Sequence, residues 1–184
     1  AGSQPPQHMT TSATPDRTEV GNYFVANYPP FSVWTKEAVE RDARPALASP
    51  PLADNPLGLY LHLPFCRQRC HFCYFRVYTD KNASEVQAYL DVLAREWELY
   101  SEQAAIAGRP LNFVYFGGGT PSYISTGQLE GLVKRMDKVS SWRSAEEVTF
   151  ECEPGTLTEG KLRALKRLGV TRLSLGVENF DDAI

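Results

Sequence analysis

From residue 57 onward, apolar positions follow two alternating rhythms. Leu57 to Leu63 alternates with the two-residue period of a strand, and so do Leu111 to Phe116, Val148 to Cys152 and Val170 to Val177. Between the first two, Asn82 to Gln103 reads as a long amphipathic helix with Val86, Tyr89, Leu90, Leu93, Trp97 and Tyr100 on one side. Ser125-Thr-Gly-Gln128 is a capping box, which opens a helix running to about Val139. A further helix from Thr158 stops at Gly169, in the position past a helix end where glycine is favoured. Strand–helix alternation of this kind predicts an α/β fold of parallel strands joined by right-handed crossovers.

Upstream the pattern is different. Ala1 to Met9 reads as an expression-tag remnant, and residues 10–22 are polar and aperiodic. Tyr23, Phe24, Tyr28, Phe31 and Trp34 then crowd a short aromatic arm. Aromatic area on that scale is expected to dock on the core or to reach over a site. Pro45, Pro50, Pro51 and Pro56 make residues 45–56 read as an extended linker. The expected organisation is therefore a tag remnant at 1–9, an arm and linker at 10–56, and the strand–helix unit at 57–184.

Charge narrows the partners. The 184 residues carry 19 Lys+Arg against 22 Asp+Glu, a formal net charge of −3. That balance gives no basic field, so nucleic acid is not expected as a partner. The longest apolar run, Leu57 to Phe65, is broken by His62 and falls far short of the ~20 residues of a membrane span. No signal-peptide pattern opens the chain, and a reducing, cytoplasmic setting is expected.

The cysteines carry the chemistry. Cys66, Cys70 and Cys73 share the loop after the first strand, while Cys152 stands apart. Ligands of parallel α/β folds bind at the carboxyl ends of strands, where this loop lies. Three thiolates suit three irons of a [4Fe–4S] cluster, leaving one iron open. A zinc site with His71 or His62 as fourth ligand is the other reading of the same residues. Cys152 alternates with Glu151 and Glu153, so it faces the helices and reads as core.

Other residues gather at the same strand ends. Phe116-Gly-Gly-Gly-Thr-Pro121 follows the second strand, and consecutive glycines let the backbone approach a ligand closely. Glu151 and Glu153 share one face of the third strand, where buried carboxylates would need polar partners. Strand four places Arg172, Ser174, Gly176 and Glu178 on one face and Leu173, Leu175 and Val177 on the other. Tyr60 and His62 occupy the corresponding polar face of strand one, where His62 reads either as structural or as a site residue. Polar faces collected on one side of consecutive strands describe a barrel with a site inside it.

The spacing Cys66-x3-Cys70-x2-Cys73 at the end of a first strand resembles the signature of radical S-adenosylmethionine (SAM) enzymes. Leu59-Tyr-Leu-His-Leu-Pro-Phe-Cys66, Phe116-Gly-Gly-Gly-Thr-Pro121, Phe150-Glu-Cys-Glu-Pro154 and Gly169-Val-Thr-Arg-Leu-Ser-Leu-Gly-Val-Glu-Asn-Phe-Asp181 appear in that order. Together they closely resemble the oxygen-independent coproporphyrinogen III oxidase-like (HemN-like) family. The resemblance implies a [4Fe–4S] cluster on Cys66, Cys70 and Cys73. It also implies SAM contacts at Tyr60, Phe72, Gly118, Gly119, Thr120, Glu151 and Glu178, and that family binds two SAM molecules. The implied fold is the N-terminal part of a partial, TIM-like (β/α) radical SAM barrel. Implied partners are a small-molecule substrate such as a tetrapyrrole and a reductant such as flavodoxin or ferredoxin.

Two positions depart from the oxidase pattern. Position 75 is Phe where authentic oxidases carry a fourth cysteine, and Glu178 stands where Gln is usual. Phe75 is similar to the heme-chaperone branch, whereas Tyr28-Pro-Pro30 is similar to a Tyr-Pro segment of the oxidase branch. A third branch, the class C methyltransferases and cyclopropanases, uses the same scaffold. The implied activity is reductive cleavage of SAM to a 5′-deoxyadenosyl radical that abstracts hydrogen from an organic substrate. A whole (β/α)8 barrel takes ~250 residues, so the chain is expected to hold the first half of a barrel and to depend on its missing half for stability.

Overall fold

The computed structural model describes residues 34–51, 55–73, 75–177 and 180–181. The tag remnant, the aromatic arm up to residue 33, and Glu178 lie outside the described residues. Four parallel strands form one sheet: β1 (Gly58–Leu63), β2 (Phe113–Gly118), β3 (Glu147–Cys152) and β4 (Arg172–Leu175). Their order in the sheet is their order in the chain, and Phe116 pairs with Phe150, which pairs with Leu173. A doubly wound sheet would reverse direction at a switch point, whereas sequential order is the winding of a barrel.

Each crossover contains a helix with a chemical reason to start where it does. Asn82 caps α3 (Ala83–Ser101), its Oδ1 accepting from the N–H groups of Ser84 and Glu85 while Glu85 accepts from Asn82 N–H. Ser125 and Gln128 close the expected capping box on α4 (Thr126–Asp137). Thr158 caps α5 (Glu159–Arg167), and Gly169, at φ +88°, ends it in the left-handed conformation open to a residue without Cβ.

The apolar faces of β1–β3 meet these helices in one core. Leu61, Leu63, Val114, Phe116, Val148 and Phe150 are buried against Val86, Leu90, Trp97, Leu129, Leu132, Met136 and Leu165. Phe116 lies 5.1 Å from Phe150 and meets Trp142 edge-on at 5.8 Å. Cys152 is buried in the same cluster, as its alternation predicts.

Several expectations need correction. Arg44–Ala48 is helical (α2), not extended. A short α1 (Lys36–Ala38), capped by Thr35, and a π turn (Val39–Ala43) lead into it. Pro45 follows directly on the π turn, inside this continuous helical run, and the chain turns extended only at Ser49, before Pro50. The segment is tied to the body by Ala105 N–H donating to Leu47 O at 3.0 Å. β2 begins two residues later than the alternation suggests, because Asn112 is used as a bridge: its side chain accepts from Leu57 N–H and its own N–H donates to Leu57 O. Tyr100 is exposed on the flank of α3, and Ala94 fills the core position instead. Leu173 and Leu175 on β4, and Val177 just beyond it, are also exposed, since β4 is an edge strand and no described element covers it.

Candidate active site at the strand ends

The loop after β1 is held at its neck before any cysteine is considered. Tyr78 N–H donates to Pro64 O at 2.8 Å, and Cys66 N–H donates to Tyr78 O at 3.1 Å. Phe65 packs edge-on against Tyr89 at 5.2 Å, and Tyr89 donates its hydroxyl to His62 O. The cysteine-bearing arc is thus a projection from a pinned base. Within it, Cys73 N–H donates to Cys70 O, and the Arg69 guanidinium donates to Cys73 O at 2.7 Å.

The glycine turn after β2 fits against this loop. Gly119 N–H donates to Leu63 O and Thr120 N–H to Phe65 O, which carries the β1–β2 ladder past the sheet. A Cβ at Gly119 would meet Cys66 Sγ at 2.8 Å and Phe65 O at 2.9 Å. Gly118 has φ +122°, and a Cβ there would press on the His62 ring. Two side chains that the motif leaves out therefore make room for the cysteine loop and the histidine. Thr120 Oγ1 donates to Cys66 Sγ at 3.4 Å. Burial pushes the Cys66 thiol pKa up, and the Thr120 hydroxyl acts in the opposite direction.

β3 supplies the carboxylates. Glu151 accepts from Tyr115 OH at 2.6 Å and from Gly118 N–H at 3.2 Å, so its charge is already partnered. Glu153 is exposed at the strand end, and its backbone N–H donates to Ser122 Oγ. Behind them Lys161 of α5 donates to the carbonyls of Ser122 and Ile124, bracing the segment after the glycine turn. Burial pushes the Cys152 thiol up to about 11, which suits an inert core thiol.

These walls enclose a cleft of about 890 Å³. Cys66, Cys70, Cys73, Phe72, Gly118, Gly119, Thr120 and Glu151 line it together. Cys66 is buried, Cys73 half-buried and Cys70 exposed, and Phe72 stands 67% exposed over the opening. Tyr60 is not part of this lining. It lies further down the same sheet face, stacked on Tyr115 at 5.9 Å with its hydroxyl 3.1 Å from His62 Nδ1. Burial, then the Glu151 charge, pushes the Tyr60 phenol up to about 12, and burial holds His62 below the usual imidazole range. Tyr115, the hydroxyl donor to Glu151, has a legible signal, since it alternates with Val114 and Phe116 onto the polar face. Ser174 and Gly176 complete the wall from β4 and the residues after it.

Among the described residues, no three His, Cys, Asp or Glu side chains are gathered tightly enough to hold a single metal ion. One ion would draw its thiolates to a common centre at ~2.3 Å. A cluster takes each thiolate on a different iron, and three thiols of one loop lining a cleft of this size fit that larger group. The glycine cradle at Cys66 gives it a floor.

Residues 60–184 match the radical SAM superfamily, so the chain belongs to that superfamily. Its members use a [4Fe–4S] cluster with SAM. The chain is similar to a heme chaperone, HemW, of Synechocystis sp., 36% identical over 132 residues, covering 69% of this chain and 31% of the relative. It is 30% identical over 158 residues to the oxygen-independent coproporphyrinogen III oxidase of Escherichia coli, covering 86% of this chain and 34% of that enzyme. The solved structure of Escherichia coli coproporphyrinogen III oxidase (HemN), described as a radical SAM enzyme, superposes with a TM-score of 0.69 at 28% identity. It covers 88% of this chain and 36% of that chain. The chain thus spans about a third of the length of the relatives it matches.

Proposed function

We propose that this chain forms the cofactor-binding part of a HemN-like radical SAM enzyme that abstracts hydrogen from a small organic substrate, a tetrapyrrole being the class its relatives suggest. The observation that carries the reading is the meeting of two loops at one cleft. Cys66, Cys70 and Cys73 come from the loop after β1, and Gly118 to Thr120 from the turn after β2. A [4Fe–4S] cluster held there by Cys66, Cys70 and Cys73 would supply one-electron reduction of SAM, the chemistry that yields a 5′-deoxyadenosyl radical.

The chain's own residues bind and orient. Cys66, Cys70 and Cys73 hold the cluster, and the bared backbone of Gly118 and Gly119 and the Glu151 carboxylate receive polar groups of SAM. Phe72 supplies aromatic surface at the cleft, and Tyr60 backs it from further along the same sheet face. A small external donor, flavodoxin or ferredoxin in kind, delivers the electron. The test is anaerobic reconstitution with iron and sulfide, then dithionite and SAM, with 5′-deoxyadenosine measured by chromatography. Wild-type protein is expected to form it and Cys70→Ala to lose it by more than ~10²-fold. Equal yields from the two would sink the reading.

A heme-trafficking reading, with which Phe75 and the similarity to HemW agree, also has a structural observation in its favour. His71 is exposed on the cysteine loop and lines the cleft, and imidazole is a ligand type that heme iron takes. A Soret shift on adding hemin, lost in His71→Ala, would favour it over hydrogen abstraction. A methylated product from SAM would instead indicate the class C branch.

A further inference from the structure

The three thiols of the loop do not sit in equivalent surroundings. Cys66 is 7% exposed, while Cys70 is exposed and Cys73 half-buried. The Thr120 hydroxyl donates to Cys66 Sγ at 3.4 Å, and Thr120 is held there by its backbone. Its N–H donates to Phe65 O at 2.8 Å, and its carbonyl accepts from Tyr123 N–H at 2.8 Å. Gly119 keeps the approach open, because any Cβ there would stand 2.8 Å from the same sulfur.

A hydroxyl that donates to a ligating thiolate draws electron density off the sulfur. It favours the more negative, reduced state and raises the reduction potential. Resting on the reading of this loop as a cluster site, we propose that Thr120 is a positioning residue that acts through Cys66 to hold the cluster's potential up. The family resemblance assigns Thr120 a contact with SAM. The role inferred here is exerted on the protein's own ligand and needs no SAM.

That difference makes the test. Wild-type protein, Thr120→Val and Thr120→Ser are reconstituted anaerobically and titrated with dithionite without SAM, the reduced cluster being followed by its electron paramagnetic resonance. The valine variant is expected to have a lower midpoint potential. A tenfold change in the one-electron equilibrium would read as about 59 mV. The serine variant, which keeps the hydroxyl, is expected to stay with wild type. Thr120→Ala carries the same comparison if the valine protein takes up no iron. Loss of the hydroxyl is also expected to raise the iron–thiolate stretching frequency in resonance Raman spectra. Equal potentials in all variants overturn the inference, and so does a serine variant displaced as far as valine. A difference seen only with SAM present overturns it too, leaving Thr120 a SAM contact alone. Wild-type protein that takes up no iron overturns the cluster reading itself, and this inference with it.

Discussion

Glu151 is the carboxylate around which the polar face of the sheet is arranged. Tyr115 donates to it, Gly118 N–H donates to it, and Tyr60 stacks on Tyr115. Partial burial, and after it the Glu151 charge, push the Tyr60 phenol up to about 12 when folded. The unfolded phenol ionises near ~10, so between those values the unfolded chain gives up a proton that the folded one keeps. Stability is therefore fully present below pH ~10 and falls as pH rises toward 12. Tyr60→Phe is expected to remove one late step from an alkaline absorbance titration and to flatten the fall in Tm above pH 10. An unchanged titration would mean that Tyr60 ionises with the other phenols.

Helix ends are where the elements are most directly encoded. Asn82 satisfies two N–H groups of α3 and Glu85 returns a bond, so Asn82→Ala is expected to cost about 1 kcal/mol in urea unfolding. Ser125, Thr158 and Gly169 are legible for the same reason: each does a local job that its own side chain, or lack of one, explains. The cysteine spacing is legible because a ligand set must be close in sequence when one loop carries it. Other features depend on tertiary context. The proline count at residues 45–56 points to extended chain, yet Pro45 lies in a continuous helical run, directly after a π turn that departs from regular α-helical bonding. Tyr115 lies on a recognisably polar face, but its bond to Glu151 requires the β2–β3 register that pairs Tyr115 with Thr149. β4 reads as half-buried from its alternation, and its apolar side is exposed because burial depends on what lies beyond an edge strand.

At the scale of the molecule, one side of the sheet is covered by helices and both outer strands, β1 and β4, are free among the described residues. Leu173 and Leu175, at 38% and 53% exposure, stand beside an unpaired strand edge. Such an edge invites pairing with another chain. A polypeptide of these 184 residues alone is expected to associate as its concentration rises, and Leu173→Lys to weaken that association several-fold in sedimentation velocity. Monomeric behaviour across the whole range would contradict this. The bonds from Gly119 to Leu63 and from Thr120 to Phe65 continue the β1–β2 ladder out of the core and into the cleft. The glycine turn and the neck of the cysteine loop are thereby tied to the buried strands, and their backbone entropy is lost when the sheet forms. A cofactor arriving at this cleft meets that part of its seat already set, so less of its binding energy goes into assembling it.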